Sequence, residues 1–146
     1  MAGALLLGAF GVRPVFAAPD EAVLDASALM VLEQRAEHAD LREQCFLYSE
    51  VVHGLTELAG RQIAAGQEAD AASTIQHMDA VTAKVEKVSA ADAKRLKNAE
   101  MLLEHTSHRL ADMARVASSG ERTMMQSTLQ HLDSVHTKIL TLVFSR

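Results

Sequence analysis

The sequence has no tryptophan, one tyrosine and four phenylalanines, so rings make up only 3% of a chain that is 49% hydrophobic. Its apolar weight comes instead from Ala, Leu, Val and Met, which favours helices over strands. Two prolines and seven glycines in 146 residues leave few turn signals. That excludes a chain cut into many short strands. A single cysteine, Cys45, excludes an intrachain disulfide. It adjoins an apolar helix stripe, so a buried, inert thiol is expected, with an intermolecular disulfide as the alternative in an oxidising compartment. Excess positive charge is also missing: the formal net charge is −5, whereas a general nucleic-acid surface needs a basic face. The one basic cluster, Lys94, Arg95 and Lys97, reads as a solvated helix start. Glycine-rich phosphate loops, nucleophile elbows and paired-carboxylate signatures are absent, so no catalysis and no cofactor are expected.

What is present is a repeat. Ser73–Val85 reads STIQHMDAVTAKV and Ser127–Ile139, fifty-four positions later, reads STLQHLDSVHTKI. Seven of the thirteen columns are identical and four more are conservative. Gly66 matches Gly120, and with one residue of slippage His53 to Ala59 matches His108 to Ala114. A duplicated helix–turn–helix unit is therefore expected, with copies at about 41–88 and 92–144. Two such pairs with tight links predict an all-α protein, an antiparallel four-helix bundle with one further N-terminal helix. A tetratricopeptide-type solenoid is the rival, since Ala65–Ala72 resembles its turn, but that unit is about 34 residues long.

Along the chain, Met1–Val12 is a short apolar run followed by Val15-Phe16-Ala17, which reads as a signal peptide cleaved after Ala17 or Ala18. The run is shorter than the roughly 20 residues that span a bilayer as a helix. An exported, periplasmic or secreted single domain, 18–146, is the expectation. Pro19-Asp20-Glu21 would open the first helix, with Leu24, Ala28, Val31, Leu32, Ala36 and Ala39 as its apolar stripe. Asp40 with Glu43 caps the second helix, which carries Leu41, Tyr48, Val51, Leu55 and Leu58 and stops at Gly66. The third carries Ala71, Ile75, Met78, Thr82 and Val85. Ser89-Ala-Ala-Asp92 reads as a capping box opening the fourth helix. Its stripe is Leu96, Ala99, Leu103, Thr106, Leu110, Met113 and Ala117, closed by Ser118-Ser119-Gly120. Met125, Leu129, Leu132, His136, Ile139 and Val143 mark the fifth.

Seven histidines raise metal binding. His53 and His108 each precede a carboxylate by four residues (Glu57, Asp112), one helical turn, and Glu50-x-x-His53 has the spacing of di-iron bundles. The stripes place His53 and His108 opposite the core and His77 and His131 off it, so no internal metal site is expected. Only His136 falls on a core position, where a hydrogen-bonded, partly buried imidazole is expected. Phe46 and its counterpart Met101 both fall away from the core at the same place in the two pairs. The first helix can cover one of them but not both, so they are the candidate contact with another chain.

The runs Arg42-Glu-Gln-Cys-Phe-Leu-Tyr48 and Arg95-Leu-Lys-Asn-Ala-Glu-Met-Leu-Leu103, with the closing Val143-Phe144, resemble those of a group of small exported bacterial helical proteins without an assigned activity. The resemblance implies a helical fold and export, and no active site. Leu55-Thr56-Glu57-Leu58 is more loosely similar to the Leu-Thr-x-x-Gln signature of periplasmic helical chaperones, with Ala59 in place of the Gln. The reading is a binding or structural module acting by self-association or on a protein partner. The alternatives are a metal- or stress-responsive envelope protein and a helical chaperone.

Overall fold

The structure, a computed structural model, describes residues 24–145. The expected signal peptide and the expected helix opening at Pro19 lie outside them. Five helices follow: α1 (Ala26–His38), α2 (Leu41–Ala64), α3 (Glu68–Val88), α4 (Leu96–Val116) and α5 (Ser119–Phe144). There is no strand among the described residues. Within them α1 opens at Ala26, where the Asp25 carboxylate accepts from the Ala28 N–H at 2.8 Å.

The direction of each helix follows from which residues meet. Thr74 donates to Gln62 (2.7 Å) near the α2–α3 link, and Thr56 bonds Met78 (2.8 Å) further in, so the two helices run antiparallel. Gly66 turns the chain between them at φ 73°, a left-handed conformation that glycine adopts without strain. In the second pair Arg122 bonds the carbonyls of Ala114 and Ala117 near the link, while His136 meets Glu100 (3.0 Å) at the far end. That pair is antiparallel too.

Between the pairs the order is different. His53 meets Thr106 and Glu57 meets Arg109, both at 3.2 Å. Asp79 meets His131 (2.8 Å) and the Glu86 carbonyl meets Lys138 (3.2 Å). The positions rise together on both sides, so α2 and α4 run the same way, as do α3 and α5. The antiparallel neighbours expected throughout are thus found only within each pair. The cause is the segment 89–95, which crosses the end of the molecule and sets the start of α4 beside the start of α2, with the Lys94 N–H bonding the Arg42 carbonyl at 2.6 Å.

That segment also corrects the expected start of α4. Ser89 is the last residue of the α3 turn, and its hydroxyl donates to the Glu86 carbonyl at 2.8 Å instead of opening a helix. Ala93 is drawn into the core, 1% exposed. Helix begins only after Arg95, held at φ 55°. The α4 stripe itself is buried at all seven expected positions. Leu41 of the α2 stripe is not, since it sits on the first, solvated turn.

α1 packs on α2 through Leu29 (2% exposed), not Val31 (66%). Leu29 presses into the gap left by Gly54, close to where a Cβ would stand. Ala36 is buried further along α1. The Arg61 guanidinium donates to the Leu24 carbonyl at 2.6 Å, and Gln44 to the Glu37 carbonyl at 3.2 Å. Glu33 then ties α1 to α3, accepting from Lys84 (2.8 Å) and meeting His77 (2.7 Å), while Lys84 also reaches Glu37 at 2.7 Å. Burial alone would raise the Glu33 carboxyl, but the Lys84 hydrogen bond and the nearby His77 outweigh it and hold the group below its ordinary 4.5.

Two measurements check this docking. Gly54→Leu removes the gap under Leu29, and overpacking of this kind costs about 1–3 kcal/mol in urea unfolding. Glu33→Gln lowers stability by an amount that is constant above pH 4.5 and shrinks as pH falls through the depressed folded value. The sign follows because a depressed carboxylate stabilises the fold only while it is ionised. Urea midpoints of wild type and variant between neutral and acidic pH read the difference.

Candidate functional site: a furrow between the first and fourth helices

The outer face of α2 is only partly covered. α1 lies along one side of it and α4 along the other, leaving two adjoining hollows of about 480 and 350 Å³. Glu50, His53 and Gly54 of α2 form the floor, Val31 and Leu32 the α1 wall, and Met101 and Leu102 the α4 wall. Met101 is 56% exposed and Val31 66%, so each stands proud of its wall. Leu102 is half-buried between them and lines both hollows. The apolar character of α1 on this side is the residue of its stripe that α2 does not take up, since α2 is met by Leu29 and Ala36.

Of the two residues expected to face a partner, the structure leaves one exposed. Met101 is at the surface. Phe46 is 7% exposed, and the guanidinium of Arg95 lies 3.5 Å over its ring. The left-handed turn at Arg95 is what swings that side chain back over α2. Nothing in the spacing of apolar residues signals such a turn. Arg95 and Phe46 make a cation–π pair whose partner atoms come from segments forty-nine positions apart. The rest of the basic cluster is paired as well: Lys94 with Glu43 at 3.1 Å and Lys97 with Glu100 at 2.5 Å.

The histidines fall into separate settings. His53, expected opposite the core, instead sits half-buried on the seam between α2 and α4. The Thr106 hydroxyl donates to the Leu102 carbonyl (2.7 Å) and shares a hydrogen bond with the His53 Nδ1 at 3.2 Å. The His105 ring lies 5.5 Å from the His53 ring, centroid to centroid. His108 is exposed, and the carboxylates that would complete the two His–carboxylate pairs are engaged elsewhere: Glu57 by Arg109 (3.2 Å) and Asp112 by Arg115 (2.9 Å). His77 meets Glu33, and His131 meets Asp79 at 2.8 Å. His136 is partly buried and bonds Glu100, as its core position suggested. The Lys97 hydrogen bond holds the Glu100 carboxyl below its ordinary value against the opposing effect of burial, and His136 adds to it. Among the described residues no three such side chains gather closely enough to hold a metal ion.

Cys45 is fully buried, and burial pushes its thiol up to about 11. Reactivity requires the thiolate and access to it. Native protein at pH 8 is therefore expected to leave Cys45 unmodified by a chromogenic disulfide reagent, with one thiol per chain released on unfolding in guanidinium. Rapid labelling of the native protein would contradict the burial.

No family model matches the chain, and no curated protein or solved structure matches it. No helix among the described residues is long and apolar enough to cross a membrane.

Proposed function

We propose that this chain is an exported, duplicated helix pair that works by binding, and that its α1–α4 furrow docks a second copy of itself. The observation that carries the reading is the furrow's relief: one patch bears both protruding apolar side chains, Val31 and Met101, and the hollow between them. An isologous contact needs a surface that is complementary to itself, and a patch with ridge and hollow side by side satisfies that condition. Exposed apolar residues grouped along a groove are also the usual mark of a protein contact.

Support for duplication comes from matched burial. Thr74 and Thr128, Met78 and Leu132, Val81 and Val135, and Val85 and Ile139 are buried in both copies. Lys84 and Lys138 each reach across to the preceding helix layer, and His77 and His131 each meet a carboxylate there. Export rests on the apolar run and the small residues before Ala18.

Size-exclusion chromatography with light scattering tests the docking. A dimer is expected for wild type, and Met101→Asp and Val31→Asp, each placing a charge on an exposed position, are expected to shift it to monomer without loss of helicity. A wild-type monomer at high micromolar concentration, or a dimer indifferent to both substitutions, would sink the proposal.

A further inference from the structure

A third hollow, of about 460 Å³, lies where the end of α1 and the segment 89–95 meet over α2, sharing Arg35 and Phe46 with the two of the furrow. Its floor is apolar, made by Phe46 and Leu47, and its rim carries Arg35, His38, Lys94 and Arg95. Three of these, Arg35, Lys94 and Arg95, are cations gathered on one rim of a chain whose net charge is −5. The single acid on the rim, Glu43, is already neutralised by Lys94 at 3.1 Å.

The arginines show why these cations matter. Seven lie among the described residues. Five donate to an acceptor: Arg42 to the Asp92 carbonyl, Arg61 to the Leu24 carbonyl, Arg109 to Glu57, Arg115 to Asp112, and Arg122 to two carbonyls at the α4–α5 link. Arg35 and Arg95 have no such acceptor among the described residues, and both line this one hollow. A guanidinium is a rigid fork suited to planar two-point recognition of carboxylate or phosphate. Arg95 moreover has its guanidinium carbon 3.5 Å from the centre of the Phe46 ring, which holds the group at the apolar floor of the hollow. It keeps that position at the expense of a left-handed backbone, φ 55°, that a side-chain-bearing residue seldom adopts.

We infer that the hollow is a binding site for an amphiphilic organic anion, a carboxylate or phosphate head gripped by Arg35 and Arg95 with a short apolar body laid on Phe46 and Leu47. The volume falls in the range of small-molecule pockets, roughly 300–1,000 Å³. The composition fits as well, with apolar walls and a few convergent charged groups at one side. Two guanidiniums without an acceptor among the described residues disfavour a cationic ligand, and the ring floor disfavours a bare inorganic ion.

Isothermal titration with four probes tests each half of the inference. Octanoate and octyl phosphate are expected to bind, and whichever binds tighter identifies the head group. Inorganic phosphate is expected to bind at least about tenfold more weakly than octyl phosphate, because it lacks the apolar chain whose burial on Phe46 and Leu47 supplies the difference. Octylamine is expected not to bind, since it cannot accept the charge-assisted hydrogen bonds, each worth about 1.5–3 kcal/mol or roughly tenfold or more in affinity. Arg35→Gln and Arg95→Gln should each weaken the octyl anions by about tenfold on the same ground, while Arg115→Gln leaves them unchanged. Arg35 stacks on no ring among the described residues, so its variant keeps the test valid if loss of the Arg95–Phe46 contact disturbs folding. Failure of both octyl anions to bind at millimolar concentration overturns the site. So does equal binding of octylamine, or of the anions by the Arg35 variant. Inorganic phosphate as tight as octyl phosphate overturns the apolar half.

Discussion

The short crossing from α3 to α4 determines the arrangement of everything after it. Residues 89–95 could have let α4 fold back against α3. Instead the Lys94 N–H is bonded to the Arg42 carbonyl at 2.6 Å and Ala93 is drawn inside. The start of α4 is thereby fixed to the start of α2, and α4 has to run in the same direction as α2. From that follow the seam residues that face each other, the furrow left between α4 and α1, and the Arg95 side chain laid over Phe46. Stacking pairs side by side in this way is how helix-pair arrays associate, although the described residues hold only two such pairs.

Four of the polar side chains in the core are satisfied within their own helices. Ser49, Thr56, Thr82 and Thr106 are buried, and each hydroxyl donates to the carbonyl four residues earlier at 2.7–2.9 Å. A hydroxyl bonded in this way needs nothing from the facing helix. Thr106 can then share a hydrogen bond with His53, and Thr56 can also lean on the Met78 sulfur. Small side chains at these places let helices approach closely where a leucine would hold them apart. The glutamate at 100 is a different case. Its carboxylate is 4% exposed and is matched by Lys97 and His136, so its charge stays ionised at the margin of the core.

Periodicity made most of the helical frame legible. The seven α4 positions from Leu96 to Ala117 were readable because each is apolar or small at three- and four-residue steps, and packing has no competing demand there. Gly66 and Asp40 were readable because their conformations and hydrogen bonds are local. The failures are non-local. Ser89 to Asp92 has the letters of a cap, yet the tertiary bond from Lys94 to Arg42 overrides the local preference. Leu29 was passed over in favour of Val31 because only the missing side chain at Gly54, twenty-five positions away, makes room for it. Phe46 looked exposed since no pattern in apolar spacing foretells a left-handed arginine. His53 and His105 come together on a seam created by parallel helices, which a purely antiparallel arrangement would not form.

The way α1 meets α3 bears on growth. Glu33 and Glu37 engage His77 and Lys84 much as Asp79 and Glu86 of α3 engage His131 and Lys138 of α5. α1 therefore sits where an earlier layer of an array would lie. At the opposite margin, His108, Asp112 and Asp133, the counterparts of seam residues His53, Glu57 and Asp79, are all solvent-exposed. One margin is covered by a single helix, and the other carries these three hydrated side chains. Stacking a further helix pair on that second margin would have to strip their water without the partners that the interior seams supply.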